Sequence, residues 1–238
     1  MTGDLHMRGW LAWAGLGLLT LQATGCATNP ATGNQQIMLM SEQQEVNLGR
    51  QEDQKVAQSM GLYDDPALQQ YVEELGLQLA RSSERPDLPW SFKVVDDPVV
   101  NAFALPGGYI YIPRGILAYM GSEAQLVSVL GHEIGHVTAR HSANQISKSQ
   151  LANIGLGLGM AVAPEIAAAG DLLMAGTGLL FLKFSRDDER QADDLGLRYA
   201  ERADYDLYEA TAMHDTLKRV GAQSEGGRAP GWASTHPE

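Results

Sequence analysis

Five consecutive residues, His132-Glu133-Ile134-Gly135-His136, leave this chain the least freedom in how it folds, because their three functional groups can cooperate only on an α-helix. Residues four apart on a helix share a face, so His132 and His136 can offer imidazole nitrogens to one metal ion. Glu133 is rotated off that face. From there its carboxylate can take a proton from a water at the ion and stay outside the coordination shell. The flanks ask for the same conformation. Leu126, Val129, Leu130, Ile134 and Val137 recur at helical spacing, and Ser122 to Gln125 (S-E-A-Q) reads as a capping box that starts the helix.

A hydrolytic zinc site keeps three protein ligands and one open position, so a third ligand has to come from elsewhere in the chain. The segment Ser185 to Gly196, SRDDERQADDLG, offers Glu189 and Asp193 four residues apart. On a helix, one carboxylate can bind the ion while the other hydrogen-bonds the back of a ligating His and fixes its tautomer. Spacing alone does not separate this pair from an ordinary solvated, charged helix face.

Four separated pieces of the chain, NAFALPGGYIYIPRGIL at 101–117, VLGHEIGHVTARH at 129–141, SRDDERQADDLG at 185–196 and STHP at 234–237, resemble a known family in content, order and spacing. The family is the HtpX and CAAX-prenyl-endopeptidase kind of zinc metallopeptidase, whose gluzincin site pairs HExxH with a downstream ExxxD. The likeness is to its soluble periplasmic, BepA- and LoiP-like branch. This resemblance implies a zincin-like metallopeptidase domain of α+β class, mostly helical, with a small β-sheet beside the HExxH helix. It implies one Zn2+ per chain, held by His132, His136 and Glu189, with Glu133 as general base and Asp193 behind a ligating His. It also implies a carboxy-terminal lid in which His236 can approach the zinc and fill its open position. Zincins hold substrate as an added strand on a sheet edge, where main-chain hydrogen bonds bind without demanding one sequence. The resemblance puts Gly108, Tyr109, Ile110 and Tyr111 on that edge. The implied substrates are misfolded or misassembled polypeptides of the bacterial envelope, with envelope assembly machinery as a partner. Arg186, Tyr199 and His236 are the candidates for stabilising the oxyanion.

Residues 1–25 read as a signal peptide of lipoprotein type. Arg8 makes the start weakly positive, the apolar run Trp10 to Leu21 is too short for the ~20 residues a bilayer span needs, and Ala23-Thr24-Gly25 leads to Cys26. This resembles a lipobox, with Ala23 where Leu is preferred and Asp4 in the usually basic region. Lipid on Cys26 would tether the chain to a membrane, and Ala27 after it, not Asp, points to the outer membrane; the alternative is a cleaved signal peptide and a free periplasmic protein. Cys26 is the single cysteine, so no disulfide supports the fold. A net charge of −12 argues against nucleic acid, which demands a basic face.

Residues 26–40 read as a tether, turn-rich at Asn29 to Asn34, and 41–238 as the metallopeptidase domain. Helices are expected at Ser41 to Met60, where Ser41 and Gln44 can form a capping box, Pro66 to Arg81, Ser185 to Arg202, and Tyr205 to Val220. Trp90 to Val95 and Tyr109 to Ile112 read as strands. Leu151 to Ala163 and Leu172 to Leu182 are Gly- and Ala-rich runs expected as a helical hairpin. Arg140, His141 and His214 read as structural or surface polar groups, because His141 lies five residues past His136, off the ligand face. Two other functions compete: a lipid-anchored chaperone or assembly factor whose zinc is latent under His236, and a membrane-embedded prenyl-protein protease. A purely structural zinc has no use for Glu133, and no run of about 20 apolar residues exists for the latter.

Overall fold

A computed structural model describes residues 26–157 and 182–223, together with Trp232 and His236. The leader, most of the expected Gly- and Ala-rich hairpin, and the rest of STHP lie outside the described residues. In chain order the elements are β1 (Cys26–Thr28), β2 (Gln35–Ile37), α1 (Glu42–Met60), α2 (Pro66–Arg81), β3 (Ser91–Val95), β4 (Phe103–Leu105), β5 (Tyr109–Pro113), α3 (Arg114–Leu117), α4 (Glu123–Thr138), α5 (His141–Gly157), α6 (Arg186–Arg202) and α7 (Leu207–Gln223). The α+β, mostly helical class expected from the sequence is what forms.

Local chemistry sets the helix starts. Ser41 and Gln44 make the reciprocal capping box of α1, and the Asp65 carboxylate accepts from Leu68 N–H at 3.0 Å ahead of Pro66, whose missing N–H costs nothing there. Ser185 and Asp188 make a second box that opens α6. The expected box at Ser122 is not made. Ser122 does precede α4, but its hydroxyl donates to Glu209 at 3.3 Å, and the Gln125 side chain turns back to Gly121 N–H at 2.8 Å.

Helix α4 runs through the middle of the molecule, and every residue from Leu126 to Thr138 is buried. It packs on α6, α7 and α2, with Leu126, Leu130, Ile134 and Val137 joining Val72, Leu75 and Leu79 of α2 in the core. Its far end is pinned by charge. Buried Glu45 of α1 accepts from Arg85 at 2.9 Å and from Arg140 at 2.8 Å, while Arg85 also donates to the Val137 carbonyl at the end of α4. Arg140 adopts a left-handed backbone (φ 62) to make this contact.

The three-stranded sheet has the order β3-β5-β4, with β3 parallel and β4 antiparallel to β5. The expected edge strand through Tyr109, Ile110 and Tyr111 is therefore the central one, with Tyr109 opposite both Ser91 and Leu105 and Tyr111 opposite both Lys93 and Phe103. The reason lies in its partners, β3 and β4, and its composition permits the place. YIYIP is apolar on both faces and is buried throughout, as suits a strand covered on all sides, and it leaves β4 as the border strand near α4. Gly107 and Gly108 turn β4 into β5 at φ 81 and 102, and a Cβ on Gly107 would lie 2.6 Å from the Val46 backbone.

Residues 26–40 do not hang free. They form the β1-β2 hairpin, docked against α5 through Asn144 to the Ile37 carbonyl (2.7 Å) and Leu39 N–H to the Ser147 hydroxyl (2.9 Å).

Candidate metal centre

Two helices deliver the cluster, and small residues let them meet. A Cβ on Gly196 of α6 would sit 2.8 Å from the backbone nitrogen of His132, and one on Gly135 would sit 2.9 Å from the Ala192 carbonyl oxygen. This near backbone contact sets Glu189 and Asp193 across from His132 and His136. His132 Nε2 lies 2.9 Å from His136 Nε2 and 3.4 Å from Glu189 Oε2, and His136 Nε2 lies 3.5 Å from Glu189 Oε1. His236 enters from the carboxy-terminal side, with Nδ1 3.1 Å from His132 Nε2 and 3.1 Å from Glu189 Oε2. One ligand atom from each of the four lies within 4.8 Å of the others, and all four residues are buried.

The donor set suits a cation. Imidazole and carboxylate are the ligand types of zinc and related first-row ions. Glu189 Oε1 and Glu133 Oε1 are buried with no hydrogen-bond partner, an arrangement that costs free energy unless something else satisfies them. Burial alone would depress the His132 imidazole, but the hydrogen bonds it donates to Asp193 and Glu189, with nearby carboxylate charge, hold it up at about 10. Burial pushes Glu189 up, yet its bonds to His132 and His236 hold it at about 2. His136 is driven well down by burial and its histidine neighbours, so it stays neutral.

Asp193 sits where the resemblance implied, with Oδ1 accepting from His132 Nδ1 at 2.8 Å, which leaves His132 Nε2 pointing into the cluster. His214 lies 3.9 Å behind the same carboxylate, partly exposed. Glu133 is buried beside the cluster, 3.6 Å from His236 Nε2, and burial raises its carboxyl above the usual carboxylate range. Of the three oxyanion candidates only His236 reaches the cluster. Tyr199 donates its hydroxyl to Glu84 at 2.5 Å, and Arg186 is exposed in the first turn of α6. Tyr109 and Tyr111 pack toward α1 instead, where Tyr111 donates to Asp53.

Several residues at the site carried no sequence signal. Phe184 stacks on His136 with ring centroids 4.1 Å apart, and Trp232 stacks on His236 at 4.2 Å while lying 5.2 Å from His132. Trp232 N–H donates to the Val100 carbonyl at 3.0 Å, just ahead of β4, and its own carbonyl accepts from His236 N–H at 2.8 Å. Only an i, i+4 aromatic-histidine pair, Trp232 and His236, hinted at this. His141, expected as a structural polar group, lies with Nδ1 3.0 Å from His136 Nδ1, on the side of that ring away from the cluster.

The beta-barrel assembly-enhancing protease of Escherichia coli (strain K12) is 30% identical to this chain over 226 residues, covering 90% of the chain and 45% of that protein. The mitochondrial metalloendopeptidase OMA1 of Arabidopsis thaliana is 33% identical over 186 residues, covering 78% and 36%. Its counterpart from Schizosaccharomyces pombe is 35% identical over 169 residues, covering 70% and 48%. The chain thus spans less than half the length of these relatives. Residues 66–238 match the pattern of peptidase family M48. That span holds both helices of the cluster and all four of its buried side chains, and by it this chain belongs to peptidase family M48.

Proposed function

We propose that this chain is a zinc endopeptidase of the bacterial cell envelope that hydrolyses misfolded or misassembled envelope proteins. The observation that carries the reading is Glu133, a buried carboxylate with one unpartnered oxygen facing a cluster of imidazole and carboxylate donors. A site that only held the fold together would have no use for such a base.

In this reading His132, His136 and Glu189 hold one zinc ion per chain. Zinc bound there supplies a Lewis acid that acidifies water and polarises a carbonyl. Glu133 takes the proton from the attacking water on Oε1 and later gives it to the leaving amine; burial, by raising its carboxyl, suits it to both steps. Asp193 keeps His132 in the tautomer whose Nε2 faces the ion. Peptide substrate would add its main chain along β4, the border strand near α4.

The same site supports a latent state. His236 fills the side of the cluster that Glu133 faces, and Trp232 bonds to Val100 beside the border strand, so the lid and a substrate compete for one place. Cys26, exposed at the start of β1, is accessible for lipid attachment, which would hold the enzyme at the outer membrane. The His236 contact also suits an assembly factor whose zinc is permanently capped.

The test is cleavage of an unfolded model protein by the zinc-loaded chain beside Glu133→Gln and His236→Ala, with metal counted in each. The expected result is loss of cleavage in Glu133→Gln at unchanged zinc and a gain in His236→Ala. Full zinc with no cleavage by any of the three would shift the reading to the assembly factor.

A further inference from the structure

The docked hairpin reaches the metal cluster through hydrogen bonds whose direction can be worked out. Asn29, buried in the β1-β2 turn, has its side-chain oxygen committed to Ala31 N–H at 2.9 Å and Thr32 N–H at 3.3 Å. Its amide nitrogen, a donor only, is therefore what faces Gln191 of α6 at 3.1 Å. Gln191 has to meet a donor with an acceptor, so Oε1 points there. The same oxygen lies 2.8 Å from His141 Nε2, which must then carry the hydrogen. Asp188 Oδ1, 3.6 Å from that nitrogen, favours the same assignment.

A neutral imidazole carries one hydrogen, and two ring nitrogens 3.0 Å apart can share only one between them. With the hydrogen on Nε2, its Nδ1 is a bare acceptor, 3.0 Å from His136 Nδ1. His136 must donate there. That leaves His136 Nε2 bare and aimed at His132 and Glu189, the one state in which it can bind a metal. His132 owes its tautomer to a carboxylate; His136 owes its own to a chain of neutral groups that ends in the hairpin.

We infer that Asn29 fixes the metal-binding tautomer of His136 through Gln191 and His141, which makes the amino-terminal hairpin a positioning element of the metal centre. The inference rests on the reading of His136 as a metal ligand. None of the three residues touches the ion or the substrate in this scheme.

The test measures zinc affinity of the full chain by competition with a chelator, together with the His136 tautomer by nitrogen-15 NMR of the metal-free protein. Gln191→Met removes the acceptor at similar length and should weaken zinc about 10-fold, in the range usual for residues that orient ligands. Gln191→Glu keeps the acceptor and should bind at least as tightly as the parent chain. Asn29→Asp, nearly isosteric, replaces the donor with an acceptor. Gln191 then turns its NH2 inward, the hydrogens reverse, and His136 should become protonated at Nε2 with a similar loss of affinity. Melting of the metal-free variants identifies any that misfold, and Asn29→Asp carries the test if Gln191→Met does. Equal losses in Gln191→Glu and Gln191→Met would overturn the relay in favour of simple packing. So would an unchanged affinity and tautomer in Asn29→Asp. His136→Ala tests the underlying reading separately: normal zinc binding by that variant would remove His136 from the ligand set altogether.

Discussion

His132 and His136 are four residues apart and chemically identical, yet their surroundings give them opposite protonation. Two carboxylates hold a proton on His132, while burial among histidines strips His136. His132 Nε2 lies 2.9 Å from His136 Nε2, so a proton on the first would lie on the lone pair a metal would use. A metal must expel that proton. Because His132 is held at about 10, zinc binding between pH 6 and 8 should release one proton per ion, and affinity should rise about tenfold per pH unit. Calorimetry in buffers of different ionisation enthalpy counts the proton directly. A pH-independent affinity across that range would show that His132 is already neutral. The HExxH turn was readable because its chemistry depends on spacing within one helix. His141 was not, because five residues put it off the ligand face of α4 and only the start of a new helix, after the left-handed Arg140, brings it back to His136.

Helix boundaries followed the sequence closely because caps and apolar periodicity are local: α2 begins and ends where Pro66 and Arg81 said it would. Strand position did not, because pairing partners are remote. Nothing within YIYIP tells whether one neighbour or two will flank it, and the hairpin at 26–37 is too short and polar to announce itself without α5 beneath it. What helices do at their crossings can be tested. Gly196→Ala sets a methyl against the His132 backbone, which cannot swing aside as a side chain could; a cost of about 1–3 kcal/mol and weakened zinc binding are expected. Gly121→Ala, with nothing nearer than the end of Gln125 at 3.9 Å, should leave both unchanged. At the other end of α4, Glu45→Ala would remove the buried carboxylate between two arginines, leaving Arg85 to Glu42 and the Val137 carbonyl and Arg140 to the Met40 carbonyl, with an expected loss of about 3–5 kcal/mol in urea unfolding. A loss below 1 kcal/mol would mean that water already reaches Arg85.

Among the described residues, no helix is long and apolar enough to cross a membrane. Two sets of residues surround the cluster: α4 with α6 as its frame, and Trp232 with His236 lying against it. Such a division predicts separable effects. With His236 acting as the proposed lid, Trp232→Ala should raise cleavage several-fold, up to the inverse of the fraction already open, while the melting temperature of the frame moves little. Hydrogen exchange would show faster opening confined to the segment around residue 236. Reduced cleavage together with lost zinc would instead make Trp232 part of the frame.

The backbone contact between α4 and α6 also sets when the centre can come into being. His132 and Asp193 are separated by 61 residues, and the two helices meet only after the chain between them closes into a loop. Closure of that length costs on the order of 3–4 kcal/mol in chain entropy, by (3/2)RT ln n. A chain emerging from the ribosome first displays a lone pair of imidazoles, a weak trap for any ion. Metal uptake is thus expected late in folding, with a bound ion stabilising the loop closure that makes its own site.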